Sequence, residues 1–462
     1  MNLEQFVVSE LATITEAMAQ IDTNHHGCVL IVNAAGAVVG LATDGDIRRQ
    51  LMAGGALTDA ILTCATREFV WAAVDTPREV LLKQLDHQIR FIPLLDAERK
   101  LKGMVSRQHL PLPAEEAVYA RSRAPVRISF AGGGSDLTHY FAAEHGAVIN
   151  STISLYSHAT LRRRADSQVI VQSRDLGETL RADSIDEALA QPGRFGLIQA
   201  ILKTIRPDFG FELYLHSDYP MNSGLGGSAV VTAAILGCFN QFRRDWWDLH
   251  ELAELAFQSE RIHLGIAGGW QDQYATVFGG FNFMEFRMDA NIVHPLRISD
   301  DIHSELEESL ILCDTGIAHQ SGDIHSDQRL QMKQEAIKQL VQENVQLTYS
   351  MRNHLLRGRL LQFGQGLHQG WELKQRLSSK ISNGRLDDLY RMARSHGAVG
   401  GKLLGAGGGG FFLFYAPPFK KHELIAGLEA AGLRIQPFRF EPQGLRAWTA
   451  RERKNHAEAS AT

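Results

Sequence analysis

Ser217-Asp-Tyr-Pro-Met-Asn-Ser-Gly-Leu-Gly-Gly-Ser-Ala-Val-Val-Thr-Ala-Ala-Ile-Leu236 sets three glycines, Gly224, Gly226 and Gly227, between a polar turn and an apolar run that can continue as a helix. Glycine admits positive φ and lets the backbone come close to a ligand. A helix N-terminus after such a turn presents unpaired N–H groups and the positive end of its dipole. Together these make a cradle for phosphate. Ser228 falls in the first helical turn, where a hydroxyl reaches a phosphate-bound metal. The same glycines also suit a turn that only joins a strand to a helix, and the loop alone does not choose between the two.

Composition narrows the field. A chain of 462 residues has room for roughly two to four domains and a sizeable core. Its 44% apolar and 21% charged content is that of a soluble globular protein. A net charge of −5 gives no basis for binding nucleic acid or an anionic membrane. Cys28, Cys64, Cys238 and Cys313 are far apart and form no Cys-x-x-Cys pair. That argues against structural zinc and a disulfide scaffold, and for reduced thiols in the cytoplasm. The opening Met1-Asn-Leu-Glu-Gln-Phe6 lacks the basic-then-apolar pattern of a signal peptide, and no apolar run is long enough to span a membrane.

Upstream of the glycine stretch lies an internal repeat. Cys28-Val-Leu-Ile-Val-Asn33 matches Phe91-Ile-Pro-Leu-Leu-Asp96, and Gly40-Leu-Ala-Thr43 matches Gly103-Met-Val-Ser106, each offset by 63 residues (91 − 28, 103 − 40). Each copy reads as strand, polar turn, strand, and the two are expected to stack and bury a shared face. In the first copy the helix-like Asp46-Ile-Arg-Arg-Gln-Leu-Met52 follows. Thr43 and Asp46 have the chemistry of helix caps. Two prolines in Pro111-Leu-Pro-Ala-Glu-Glu116 mark a linker. This segment of roughly 110 residues resembles a CBS-domain pair, a module that often binds adenine nucleotides. The resemblance would put Thr43 against a phosphate and Asp46 on ribose hydroxyls. In the second copy Ser106 keeps the hydroxyl while His109 replaces the acid, so at most one such site is implied. A dimerisation role without a ligand is also open.

Between linker and glycine stretch, Val126, Ile128 and Phe130 alternate with Arg127 and Ser129, the pattern of a strand, which runs into the tight turn Gly132-Gly-Gly-Ser135-Asp136. A second strand covers Ala147–Leu161, with Asn150, Thr152 and Tyr156 expected on a solvent face. Beyond the glycine stretch, Leu249, Leu252, Ala253 and Ala256 form a helical apolar stripe that Glu260 continues. An acid there is costly unless it is paired or binds a cation. Gly268-Gly-Trp-Gln-Asp272-Gln-Tyr follows, closed by Gly279-Gly280. His319, Ser321, Gly322 and His325 read as a polar loop, and residues 327–363 as long helical sequence. A last glycine loop, Gly405-Ala-Gly-Gly-Gly-Gly410, is anchored by the apolar strand Phe411–Tyr415.

Three of these segments, in this order, are similar to the motifs of GHMP small-molecule kinases: Ala124–Asp136, Pro220–Ala229 and Gly405–Gly410. The Gly-Gly-Gly-Ser-Asp loop resembles the heptose 7-phosphate kinase branch. Gly227 departs from the family's usual serine, while Ser228 keeps the second one. No Gly-x-x-x-x-Gly-Lys-Ser/Thr loop is present, which disfavours a P-loop NTPase.

The resemblance implies an α/β (α+β) two-lobe fold, ribosomal-S5-like then ferredoxin-like, behind the CBS pair. It divides the chain at 1–115, 120–300 and 301–448, with a polar tail at 449–462. ATP would lie on Pro220, Asn222, Ser223, Gly224, Leu225, Gly226, Gly227, Ser228 and Ala229. Mg²⁺ would be held by Ser228 and Glu260. Asp272 inherits the role of catalytic base, and Arg127 neutralises charge beside it. The sugar would lie on Gly133, Gly134, Ser135 and Asp136 and on Gly405, Ala406 and Gly407. Lys402 and Arg162–Arg164 are candidates for a distal sugar phosphate. The implied activity is phosphorylation of a heptose 7-phosphate at the anomeric hydroxyl, with fucose- or galactose-like sugars and a non-catalytic nucleotide sensor as alternatives. A homodimer is expected.

Overall fold

The computed structural model describes the chain except residues 1–2, 77, 86–88, 107–117, 222, 318–323, 325–326, 328–329, 332–333 and 452–462. The linker at 111–116, His109, Asn222 and the segment holding His319, Ser321, Gly322 and His325 therefore lie outside the described residues. The chain divides into two units, Met1–Glu116 and Ala117–Thr462.

In the first unit both halves of the repeat build the same three-stranded sheet. A short strand (Val7–Ser9; Ala72–Ala73) runs parallel to the first strand of a hairpin (Cys28–Val32 and Val38–Thr43; Phe91–Leu95 and Leu101–Ser106). Even the irregularity repeats, at Ile31/Val32 and at Leu94/Leu95. Each half has its own apolar cluster, and a third, of Phe6, Leu30, Val38, Leu95 and Met104, draws on both copies. This is the shared face expected of stacked half-units.

The second unit begins with a large, mostly antiparallel sheet. Its spine is the long strand Gly146–Arg163. One edge pairs with Val118–Ala131; the other pairs with Phe211–Ser217 and, further along, with Phe281–Phe286. Alternation in Val118–Ala131 works as read: Val126, Ile128 and Phe130 enter the core, and Phe130 packs its ring against Phe281, Phe363 and Phe440. The helix Gly227–Asn240 is apolar almost all round and correspondingly buried. Beyond it the chain forms a four-stranded antiparallel sheet in the order Gly400–Leu403, Phe411–Tyr415, Leu310–Asp314, Arg434–Gln436. Taken in chain order these are strands 2-3-1-4 with helices in both crossovers, the ferredoxin-like arrangement.

Several expectations change. The strand Arg446–Arg451 pairs back onto Val118–Arg123 of the first sheet. The boundary at 448 therefore cuts a paired strand, and the terminal segment leaves the second sheet altogether. The segment 335–363 is not one long helix but two, Glu335–Leu356 and the start of Leu360–Leu377, broken where Gly358 takes φ 65°. Leu249, at the first turn of its helix, is exposed and leaves the stripe to Leu252, Ala253 and Ala256. Asn150 and Thr152 are fully buried: the Thr152 hydroxyl donates to Glu441 O and accepts from Gly280 N–H, so the returning chain covers a face expected to meet solvent.

Candidate active site

Segments of both lobes meet around a cavity of about 540 Å³. The glycine stretch supplies the first. Gly224 and Gly226 take φ 76° and 81°, and Gly226 is the N-cap of the helix Gly227–Asn240. Only glycine fits here without strain. A Cβ on Gly226 would also come within 3.3 Å of the Asp272 carboxylate and 3.4 Å of the Arg127 guanidinium. The loop thus runs directly over these two side chains. Gly405, at φ 65°, abuts it from the other lobe: a Cβ there would lie 2.7 Å from Gly224 Cα.

Arg127 projects from the strand Val118–Ala131 and is almost fully buried. It donates from Nε to Asp272 Oδ1 at 2.8 Å, places Nη2 2.7 Å from the same oxygen, and donates from Nη1 to Gly224 O at 2.9 Å. Asp272 stands in the first turn of the helix Gln271–Phe278. With Oδ1 held, Oδ2 is left to act toward the cavity that Asp272 lines. Beside it, Asp136 accepts Gly134 N–H at 3.1 Å and Gln271 N–H at 3.2 Å. Burial raises its carboxyl, as does the neighbouring Asp272 charge, while those N–H groups oppose the shift.

Glu260 is completely buried in a turn of π-helix, Gln258–His263, that ends the helix Leu249–Phe257. Such turns are rare and recur at functional sites. Gln273 donates to Oε2; among the described residues Oε1 has no hydrogen-bond partner, with Arg261 Nη1 4.0 Å away. Burial pushes this carboxyl up, and Arg261, the Ser228 hydroxyl and Gln273 pull it down. An orphaned carboxylate oxygen beside a serine hydroxyl at a phosphate loop is the oxygen-only donor set that Mg²⁺ takes. The residues fit the ion, with nucleotide oxygens and water to complete its shell.

Two lysines close the floor. Lys374, from the helix Leu360–Leu377, donates to Leu403 O at 2.9 Å and Gly405 O at 2.6 Å. Lys402 donates to Phe130 O at 3.3 Å. Burial drives Lys374 well below the usual lysine range, helped by the charges of Lys402 and Arg127. Burial and Arg127 bring Lys402 to about 7, against the opposing pull of Asp136.

Of the residues read from sequence, Ser223, Gly224, Gly226, Gly227, Ser228, Arg127, Asp272, Gly133, Gly134, Asp136, Gly405, Ala406 and Lys402 line this cavity. Others do not. Leu225 and Ala229 are core residues behind the loop, and Pro220 is on the surface. The buried Ser135 hydroxyl is spent on Gly132 O and Ala147. A Cβ on Gly407 would meet Ile381, away from the cavity. Arg162 pairs with Glu212, Arg163 lies over the Phe209 ring at 4.2 Å and Arg164 pairs with Asp166, so none of the three is a cavity cation. Lys374 was missed, although it sits on the apolar stripe Phe363, Leu367, Trp371, Leu377 of its own helix.

The departure at Gly227 has a steric cause. A Cβ there would lie 3.0 Å from Tyr219 Cε2, and Tyr219 is buried with its hydroxyl 2.6 Å from Ser157 Oγ. Gly227→Ser should therefore cost about 1–3 kcal/mol in denaturant unfolding, the usual effect of overpacking. Adding Tyr219→Leu should recover most of that loss. An undiminished loss in the double variant would remove Tyr219 as the cause.

Comparison with known proteins bears on the family and the fold. The model for the GHMP kinases N terminal domain matches residues 195–280, that for GHMP kinases C terminal matches 351–432, and that for the CBS domain matches 1–53 and 60–110. The chain is 37% identical over 338 residues to the D-glycero-alpha-D-manno-heptose 7-phosphate kinase of Campylobacter jejuni subsp. jejuni, covering 71% of this chain and 98% of that protein. The chain belongs to the GHMP kinases. It is accordingly a small-molecule kinase, with ATP as phosphoryl donor, carrying CBS domains at its N-terminus. Among solved GHMP-type structures, a D-glycero-D-manno-heptose 1-phosphate kinase from Bacteroides thetaiotaomicron superposes with a TM-score of 0.59 at 29% identity, over 71% of this chain and 98% of that one. The L-fucokinase/L-fucose-1-P guanylyltransferase of Bacteroides fragilis is 26% identical over 68% of this chain and 36% of that protein. Among the described residues, no helix of this GHMP kinase is long and apolar enough to cross a membrane.

Proposed function

We propose that this GHMP kinase is a sugar kinase that phosphorylates the anomeric hydroxyl of a heptose 7-phosphate, giving the 1,7-bisphosphate for nucleotide-heptose and surface polysaccharide synthesis. The observation that carries the reading is the Asp272 carboxylate, fixed by Arg127 between the glycine loop at 224–228 and the Gly133–Asp136 turn. Two relatives whose names specify a heptose phosphate support the acceptor class.

In this mechanism the nucleotide phosphates lie on the N–H groups of the loop and of the first turn of the helix Gly227–Asn240. Ser228 and Glu260 would hold Mg²⁺, which would supply charge neutralisation on the phosphate oxygens. The sugar lies against Gly133, Gly134 and Asp136 with its anomeric hydroxyl toward Asp272. The hydroxyl oxygen forms a bond to the γ-phosphorus as the bond to the β-bridging oxygen breaks. ADP leaves, and the hydroxyl proton passes to Asp272. Arg127 offsets the charge that builds up beside it. Positioning and electrostatics supply most of the catalysis in such a transfer. The test is phosphoryl transfer from ATP across heptose 7-phosphate, heptose 1-phosphate, unphosphorylated heptose, L-fucose and galactose. Turnover confined to fucose or galactose would overturn the heptose reading. ATP binding without turnover on any sugar would favour a sensor.

For the N-terminal unit we propose a regulatory adenine-nucleotide site at Thr43 and Asp46, with dimerisation as its companion role. As the chain stands, the two form a capping box on the helix Asp44–Met52, and Asp46 also pairs with Arg49. A nucleotide ribose must therefore compete with Arg49. Asp46→Ala should cost about 0.3–1.5 kcal/mol by removing the N3 half of the capping box. It should also abolish any shift of kinase activity by AMP or ATP analogues that wild type shows. An equal shift in both proteins would leave the pair purely structural.

A further inference from the structure

The charges lining the floor of the cavity do not balance within the protein. Asp272 is matched by Arg127, and Asp136 is met by two backbone N–H groups. Lys374 and Lys402, both more than nine-tenths buried, bond only to backbone carbonyls. Among the described residues neither has a carboxylate within ion-pair distance. A buried ammonium without a paired carboxylate is costly, and both side chains are accordingly held below the usual lysine range, Lys402 with only the unpaired charge of Asp136 to oppose the shift. An ammonium has three donors, so Lys374 has one to spare after its two carbonyl bonds and Lys402 has two after its one. A third group points the same way. Ser129 lines the cavity, is 5% exposed, and among the described residues its Oγ has no partner. It stands next to Phe130, whose carbonyl holds Lys402.

These groups lie on the acceptor side. Phe130 is the penultimate residue of the strand that leads into the Gly132–Asp136 turn, and Lys402 is close enough to Asp136 to feel its charge. Lys374 fastens Leu403 and Gly405, the start of the second glycine loop. The nucleotide phosphates have donors of their own at the N-terminus of the helix Gly227–Asn240.

We propose that Lys402, Lys374 and Ser129 form the subsite for a phosphate monoester dianion, the phosphate the sugar already carries before the reaction. This rests on the reading of the acceptor as a phosphorylated sugar. The competing source of the same chemistry is the γ-phosphate of ATP. In this subsite the dianion supplies the missing counter-charge and accepts the spare N–H and O–H donors. The acceptor is then held at two points, its anomeric hydroxyl at Asp272 and its distal phosphate at the lysines.

The test compares wild type with Lys402→Met and Lys374→Met. It measures kcat and KM on heptose 7-phosphate and on unphosphorylated heptose, KM for ATP, and melting temperature. Wild type should prefer the phosphorylated acceptor. Each variant should lose about ten- to a hundredfold of that preference, mostly through KM for the sugar phosphate, the scale of a hydrogen bond to a charged group. KM for ATP should stay within about threefold. Melting temperature should fall modestly for Lys374→Met, which leaves the Leu403 and Gly405 carbonyls without their donor, and change little for Lys402→Met, both variants staying folded at assay temperature. Ser129→Ala should weaken the preference in the same direction and by less. A discriminating wild type whose variants lose equally on both acceptors, or lose through KM for ATP, overturns the subsite and leaves the substrate reading standing. A wild type indifferent to the acceptor phosphate overturns the substrate reading and the subsite with it. Variants that unfold at assay temperature would show the lysines to be structural and overturn the subsite; lowered melting in soluble variants with the preference intact would do the same.

Discussion

Asp272→Asn should lower kcat for phosphoryl transfer by about a thousandfold or more while leaving the dissociation constant for ATP within about threefold. General bases contribute roughly 10²–10⁴ to such rates, and the substitution removes the base with little change of shape. The asparagine oxygen can still accept from Arg127, so the guanidinium keeps its place under Gly224. The loop above should then keep its form and its nucleotide. What is lost is a site for the acceptor's proton and a charge matched to Arg127. Single-turnover transfer together with equilibrium ATP binding separates the two effects. Retention of a tenth or more of wild-type kcat would mean that the proton leaves by another route and that Asp272 only positions Arg127.

Glu260→Gln should have the second-largest effect, read through magnesium. The amide keeps the size of the side chain, but with its one oxygen still accepting from Gln273 its NH2 group stands where the unpartnered Oε1 now is, and a donor cannot ligate a cation. The Mg²⁺ concentration for half-maximal activity should rise by about tenfold or more, and kcat at saturating wild-type Mg²⁺ should fall by about a hundredfold, the scale of losing one preorganised electrostatic group. The nucleotide-free variant should melt no lower than wild type, because a buried carboxylate with one unmatched oxygen has gone. Thermal protection by ATP should lose its dependence on added Mg²⁺. An unchanged Mg²⁺ profile would reassign Glu260 to a structural pairing with Arg261.

Much of this site is legible in the sequence because its chemistry is carried by backbone. Glycines that must adopt positive φ, such as Gly224, Gly226 and Gly405, cannot be replaced without strain and so punctuate the chain visibly. Glu260 is legible for the opposite reason: an acid on an apolar helical stripe advertises an unusual environment. The same rule applies to Lys374, three residues past Trp371 on a buried stripe, and the signal was there to be read. Its partners, Leu403 O and Gly405 O, are distant in sequence, and no local pattern announces them. Motif membership alone also says nothing about which way a residue faces. Ser135 and Gly407 lie inside recognisable loops yet turn from the cavity, one clasping its own turn and the other packed on Ile381. The return of Arg446–Arg451 to the first sheet is a long-range pairing that a linear division into lobes cannot express.

Gly224 and Gly405 meet backbone to backbone, one from each lobe, with no side chain between them. This seam has an implication for how the enzyme can diverge. Where two loops touch through side chains, one substitution can retune their spacing and a second can compensate. Here neither position has a smaller residue to retreat to, and any larger one pushes the lobes apart. The separation between donor and acceptor is thus pinned by the two positions that mutation can least explore. Change of acceptor must instead come from the walls around the seam, at residues such as Lys402, Lys374 and Ser129, while the transfer distance itself is inherited unchanged.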